Sequence, residues 1–320
     1  MEEVEALEVL SPGPMTTVQD LGRYGFGRYG VAPSGAVDSF SLRIANLLVG
    51  NPEDDACLEI TLMGLKIKAR TDLIIAVTGG DLQPHMNEKP LKMWCAHMIE
   101  KGDVLSFKTP KSGCRGYLAL GGGISVSPVM GSRSTNLSSG FGGLEGRPIQ
   151  KGDILLSDSP HLYLEEIERA FDPKRVPAYP KDWVIRVLFG PQDDHFTREC
   201  RNLFLNSSFK VTSQSDRTGI RLAGPPIQTR EGMEDSIISE GVICGTIQVP
   251  GDGQPIIILG ETVTGGYRKI ATVISADLPL LGQVKPGDRI RFCEVSMEKA
   301  LQSFREVEEM ITQLREGLSR

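Results

Sequence analysis

The chain has 320 residues, 40% hydrophobic and 24% charged, with a formal net charge of −6. At about 150 residues per domain, this length suggests two domains with a large buried core. The acidic balance offers no basic stripe for nucleic acid. No run is apolar enough to cross a membrane, and the opening MEEVEALEVL lacks the basic start of a signal peptide.

The cysteines at 57, 95, 114, 200, 244 and 293 form no CxxC pair, so reduced thiols in the cytoplasm are expected. The histidines at 85, 97, 161 and 195 are scattered, and no metal site is expected from them. Glycine is abundant, 36 residues, and clusters between apolar runs. Many short strands joined by turns are therefore predicted.

In chain order, the first distinctive segment is Thr17 to Asp38, TVQDLGRYGFGRYGVAPSGAVD. It is too polar for a core strand and too patterned for a linker. Glycine permits close approach of a ligand or another chain. Gln19, Asp20, Arg23, Ser34 and Asp38 add fixed donors and acceptors, so the segment reads either as a ligand-facing wall or as a loop tied down by its own Asp–Arg pairs. A helix follows over 37–49, with Asp38 or Ser39 as its cap.

Apolar runs at 73–78, 114–120, 184–189 and 255–259 each end in glycine or a neighbouring turn residue. They read as strands buried on both faces. Gly121-Gly122-Gly123 is no dinucleotide loop, because no helix pattern follows and Pro128 comes soon after. Neither a GxxxxGK[ST] loop nor a GxSxG elbow occurs. Three segments share one pattern: Lys101-Gly102-Asp103, Lys151-Gly152-Asp153 and Pro286-Gly287-Asp288, each leading into an apolar strand. Each predicts a Gly-Asp turn at a strand entry.

The proline-punctuated stretch 164–180 reads as a join. The expected domains are 1–180, 181–295 and a terminal helix over 296–320. A further helix is expected over 194–205, capped by Asp193 or Asp194. The terminal helix has a period-3.6 stripe of Ala300, Leu301, Phe304, Val307, Ile311 and Leu314, with Ser296 as N-cap.

The second half places polar groups beside glycines at strand ends: 212–222, 239–250 and 261–269. An arginine fork such as that of Arg217 can hold a carboxylate. Gly265 and Gly266 offer backbone N–H groups to an oxyanion. Together these suggest a site for a small anionic or amide substrate.

The segment TTVQDLGRYGFGRYGVAPSGAVD is similar to a hallmark of the allophanate hydrolase subunit 2 family, also called the biotin-dependent carboxyltransferase or KipA family. The likeness continues through NPEDDACLEITLMG, GYLALGGGI, GSRSTN, FGPQDDHF, SDRTGIRLAG, SEGVICGTIQVP and TGGYRKIATVISADLPLLGQVKPGDRIRF. It implies a mainly β fold of two cyclophilin-like barrel lobes with few helices. It also implies a subunit of an ATP-dependent 5-oxoprolinase, which opens 5-oxo-L-proline to L-glutamate, with ATP acting through the assembled complex.

The implied partners are a KipI-like (allophanate hydrolase subunit 1) subunit and a LamB/YcsF-like subunit. The terminal helix is compatible with a homo-oligomer. On this reading Arg217 and the backbone near Gly265 contact anions. Asp20, Asp38 and Asp216 orient groups or transfer protons. Gln19, Arg23, Ser34, Gln248, Gly266 and Tyr267 bind substrate.

The family motif DxQTTGGYP departs here to Gly260, Glu261, Thr262, Val263, Thr264, Gly265, Gly266, Tyr267, Arg268, so a carboxylate and an amide are absent where relatives offer them. Two alternatives stand beside the first reading. One is a regulatory binding protein that antagonises a KipI-like kinase inhibitor. The other is a urea or amide carboxyltransferase subunit using carrier-bound biotin, since the chain has no AMKM-like attachment site.

Overall fold

The structure is a computed structural model and describes residues 3–158, 169–234 and 236–318. His161 and the start of the expected join at 164–168 lie outside the described residues. The chain forms two compact units. The first comprises Met1–Arg23, Ser34–Tyr179 and Met310–Arg320, and the second Tyr24–Pro33 and Pro180–Glu309.

The first unit holds two antiparallel sheets. The six-stranded sheet has the order Ile154–Ser157, Val4–Pro12, Leu65–Ala69, Val104–Phe107, Pro84–Met86, Lys89–Pro90. The five-stranded sheet has the order Met15–Gln19, Cys57–Thr61, Ser112–Leu120, Leu73–Asp81, Ala96–Ile99. One hydrophobic core joins them, with Leu7, Ile67, Leu105 and Leu155 from the first sheet and Leu58, Ile60, Ile75, Val77, Leu118 and Leu120 from the second. Alternation along a strand sends Leu58 and Ile60 to that core and Glu59 to the opposite face. Helix α1 (Ser39–Leu48) lies against Ser112–Leu120 and Leu73–Asp81 and covers that opposite face. These two strands are buried along nearly their whole length, as their continuous apolar runs suggest.

The second unit is a closed seven-stranded barrel: Asp182–Phe189, Arg268–Val273, Thr246–Val249, Ile256–Ile258, Gly219–Ala223, Phe209–Val211 and Arg289–Glu294. The first and last of these strands close it as a parallel pair. The fold is thus mainly β, with the second lobe a closed barrel and the first built from the two sheets. The strand over 182–189 differs from expectation. It alternates, with Trp183, Ile185 and Val187 buried and Val184 55% exposed, because a barrel wall has one inner and one outer face. The rings of Phe204 and Phe292 stack inside at 4.4 Å.

The three Gly-Asp segments fold alike. Gly102, Gly152 and Gly287 have φ of 102°, 91° and 95°, a region open to glycine. Each following aspartate N–H donates to the carbonyl three residues back: Asp103 to Glu100, Asp153 to Gln150 and Asp288 to Lys285. Each aspartate carboxylate accepts the N–H of that same residue, at 2.9, 2.7 and 3.2 Å.

Local caps fix the helices. Asp38 accepts from Ser41 N at 2.9 Å to start α1. Helix α2 (Arg198–Asn206) begins later than its acidic signal suggests. Residues Asp193–His195 form a 3-10 turn, Phe196 is extended, and Thr197 takes the cap by accepting from Cys200 N. A short helix α3 (Leu278–Leu281) follows the barrel wall. Helix α4 (Met297–Leu318) starts where Ser296 Oγ accepts from Lys299 N at 3.2 Å.

Candidate functional site

In the first unit, a row of polar side chains crosses the face of the five-stranded sheet beneath α1. Strand register aligns Thr17 with Glu59, Glu59 with Tyr117, and Tyr117 with Thr78. Tyr117 Oη donates to Glu59 Oε2 at 2.7 Å and accepts from Asp38 N at 2.8 Å. Glu59 also accepts from Val37 N and lies 3.5 Å from Arg115 Nε. Thr78 Oγ1 donates to Ser41 O at 2.7 Å. Burial, together with the Glu59 and Asp38 charges, raises the Tyr117 phenol well above its ordinary value. Burial and Asp38 do the same to Tyr179.

The segment 17–38 feeds into this row. Asp20 Oδ1 accepts from Gly22 N and Ser132 Oγ, both at 2.7 Å, and from Ser134 Oγ, while Oδ2 accepts from Arg133 N. Arg23 is 1% exposed. It donates to the carbonyls of Ser134 and Val129, with its guanidinium 4.8 Å from the Phe141 ring centroid. Gly35 is required sterically: a Cβ there would lie 2.9 Å from the backbone of Gly22. Ala36 N then donates to Asp20 O at 2.9 Å. Gln19 Nε2 donates to Thr17 Oγ1 and Thr135 O at 3.0 and 3.2 Å. Gln19, Asp20, Arg23, Ser34 and Asp38 are thus brought into one buried neighbourhood, with Ser132, Ser134, Glu59 and Tyr117 as additional members.

In the second unit, antiparallel pairing of Gly219 with Ile258 carries Arg217 toward Glu261. Arg217 Nε donates to Glu261 Oε1 at 3.2 Å, and both side chains are buried. Asp216 Oδ1 accepts from Thr218 N at 2.7 Å and Gly219 N at 3.1 Å, so it shapes the turn that presents Arg217.

Gln248 pairs across strands with Lys269, and its Nε2 donates to Tyr267 O at 3.4 Å. Gly265 pairs with Glu240 and packs directly on the Gln248 amide. Gly266 O accepts from Ile237 N, and Tyr267 is 41% exposed. Lys269 Nζ donates to Glu240 Oε1, which also accepts from Gln192 Nε2 at 2.6 Å. These Lys269 and Gln192 donors hold the Glu240 carboxyl below its usual range. Arg268 donates to His195 Nδ1 at 3.0 Å and to Glu234 O.

Sequence reasoning did not single out Glu59, Arg115, Tyr117 or Gln192, and it placed Glu240, Glu261 and Lys269 in the polar segments 239–250 and 261–269 without giving them a role. Their signal was a charged or polar residue interrupting an apolar run, as Glu59 does in CLEIT. Chemically, the second unit holds two cations paired to carboxylates, Arg217–Glu261 and Lys269–Glu240, two amides, Gln248 and Gln192, and glycine backbone. That set can bind a carboxylate and polarise a carbonyl.

Residues 29–294 match the carboxyltransferase domain, subdomain A and B. The chain is 37% identical over 312 residues to a 5-oxoprolinase subunit of Escherichia coli, covering 96% of this chain and 97% of that one. It is 38% identical over 331 residues to urea amidolyase of Lachancea kluyveri, covering 98% of this chain and 18% of the amidolyase. The crystal structure of Kluyveromyces lactis urea carboxylase matches with a TM-score of 0.92 and 35% identity, over 99% of this chain and 30% of that one. The chain thus spans under a third of these two longer proteins and nearly all of the oxoprolinase component. It belongs to the family of the carboxyltransferase domain, subdomains A and B.

Proposed function

We propose that the chain is a subunit of an ATP-dependent 5-oxoprolinase, opening 5-oxo-L-proline to L-glutamate together with KipI-like and LamB/YcsF-like subunits. The observation that carries this reading is the end-to-end match, 97% of the relative's length, to a protein named as a subunit of that enzyme. The chemistry is consistent with it. Water adds to the lactam carbonyl carbon, the C–N bond breaks, and the ring nitrogen takes a proton. ATP hydrolysis to ADP and phosphate drives the step. Arg217 and the N–H groups near Gly265 contact the anionic substrate, supported by Gln248 and Tyr267. Asp20, Asp38 and Asp216 act as positioning residues, because each carboxylate already accepts from neighbouring backbone N–H groups.

A second reading is favoured by the likeness to urea carboxylase, TM-score 0.92. In it the subunit transfers a carboxyl group to an amide from carrier-bound biotin. The residues present fit a cyclic ureido ring: buried Gln19 and Asn136 have amide atoms without partners among the described residues. Biotin, when bound, would supply the carboxyl group for transfer.

The test is the co-purified complex supplied with ATP and 5-oxoproline. Glutamate should form in proportion to ADP and be insensitive to avidin. Turnover that needs bicarbonate and an amide and stops with avidin would replace the first reading by the second. Binding to a KipI-like partner with no turnover on either substrate would favour the regulatory alternative.

A further inference from the structure

In the five-stranded sheet, strand Ala96–Ile99 pairs with Leu73–Asp81 only over Leu73–Ala76. Trp94 N still donates to Val77 O at 2.8 Å. Trp94 has a φ of 62°, and toward Leu91 the chain leaves this strand: Leu91 N donates to Pro84 O of the other sheet at 2.8 Å. Gly79 and Asp81 border the space that this opens, a cavity of about 320 Å³ closed on a further side by Val176, Pro177 and Tyr179. That volume lies within the range of small-molecule sites.

Leu91, Met93, Val176 and Pro177 give the cavity apolar walls. The Trp94 indole joins them, and its ring is fixed by Phe171 and Phe40, with centroids 5.6 and 6.4 Å away. Tyr179 adds a phenol that burial and Asp38 keep in its neutral form.

Among the described residues, Asp81 is the one charged side chain in this lining. Its Oδ1 accepts from Gln83 N at 2.9 Å, which orients the carboxylate. Its Oδ2 has no hydrogen-bond or ion-pair partner among the described residues, and neither has the Oγ of Ser112, which stands opposite Asp81 in strand register. Lys111 binds Asp81 through the backbone, its N–H donating to Asp81 O at 2.7 Å, and the two side chains form no ion pair.

A carboxylate beside apolar walls favours a partner that brings positive charge and N–H donors. The walls favour a carbon body, and an indole also attracts a cation. We propose that this cavity binds a small organic primary amine, its ammonium group on Asp81 and Ser112 and its apolar or aromatic body against Trp94 and Met93. A lysine side chain of another protein has the same head group on a thin unbranched stem, which leaves such a cavity mostly unfilled. The site does not depend on the oxoprolinase reading.

The experiment titrates 2-phenylethylamine into the full chain at neutral pH, with 2-phenylethanol and phenylacetate as its neutral and anionic analogues. Calorimetry should show saturable binding of the amine, at least about tenfold tighter than either analogue. The indole N–H resonance of Trp94, one of two tryptophans in the chain, should shift in step with it.

Asp81→Asn keeps the oxygen that Gln83 N reaches and removes the charge. It should weaken amine binding at least about tenfold and bring it level with the alcohol. Val176→Phe fills the cavity from its half-buried side and should weaken amine and alcohol alike, so it serves if Asp81→Asn does not fold.

Equal affinity for the amine, the alcohol and phenylacetate overturns the proposal, leaving an apolar recess that does not select charge. So does the absence of amine binding, or wild-type amine affinity in both variants. An N-acetyl-lysine amide that binds as tightly as 2-phenylethylamine overturns the free amine as occupant in favour of a protein side chain.

Discussion

Two buried networks set the energetics of single residues. Tyr117 bridges the Asp38 N–H and the Glu59 carboxylate, so one hydroxyl ties the start of α1 to the sheet below it. Tyr117→Phe should leave a buried N–H without its acceptor and lower stability by about 1–3 kcal/mol, read from the urea midpoint. Arg217 and Glu261 form the second network, with side chains 6% and 3% exposed. Arg217→Met should strand a buried carboxylate and cost about 3–5 kcal/mol. Adding Glu261→Leu should restore most of that loss, and the same denaturation series measures both.

The aspartates of the motifs looked like candidates for proton transfer. Three-dimensionally they read more simply. Gly22 N donates to Asp20, and Thr218 N donates to Asp216, each a side-chain turn spanning two residues. Such local bonds were legible in principle, because donor and acceptor are neighbours in the chain. Glu59, Arg115 and Tyr117 were not legible as a group. Their contacts cross strands, and nothing local records which strands will pair.

At the scale of elements, local chemistry carried furthest. The Gly-Asp turns and the Ser296 cap of α4 each need only a few adjacent residues and were read from sequence, while for α1 the sequence offered Asp38 or Ser39 and the structure uses Asp38. The start of α2 was misplaced, because Asp193, Asp194 and Thr197 all have capping chemistry and only the backbone at Phe196 decides among them. The turns permit a clean test. A Cβ at Gly152 would meet nothing within 4 Å, so only its φ of 91° opposes substitution. Gly152→Ala should therefore cost about 1–2 kcal/mol in thermal or urea melts. Gly241→Ala, also in open space and without a positive φ, should cost clearly less.

For the whole molecule, titration bounds the stable range. Tyr117 and Tyr179 have phenols raised above the ordinary value, mainly by burial. A raised acid stabilises fully below its unfolded pKa, and that contribution is lost as pH rises toward the folded value. Stability should thus decline above about pH 10, where unfolded tyrosine ionises first. Asp153 works at the other end. Burial opposes its charge, but hydrogen bonds from Arg147 and Gln150 outweigh it and hold the carboxyl low. Its contribution is present above about pH 4 and lost as pH falls through the depressed value. Melting temperatures across pH should show a plateau between these limits, and a flat profile through pH 11 would contradict it.

The parallel pair that seals the second unit joins Asp182–Phe189 to Arg289–Glu294, the earliest and latest of its seven strands to leave the ribosome. During synthesis the nascent sheet must therefore wait, with one margin open, until its final staves emerge. Such distant pairing makes closure a slow event, and the growing chain spends that interval exposed to mispairing with its neighbours.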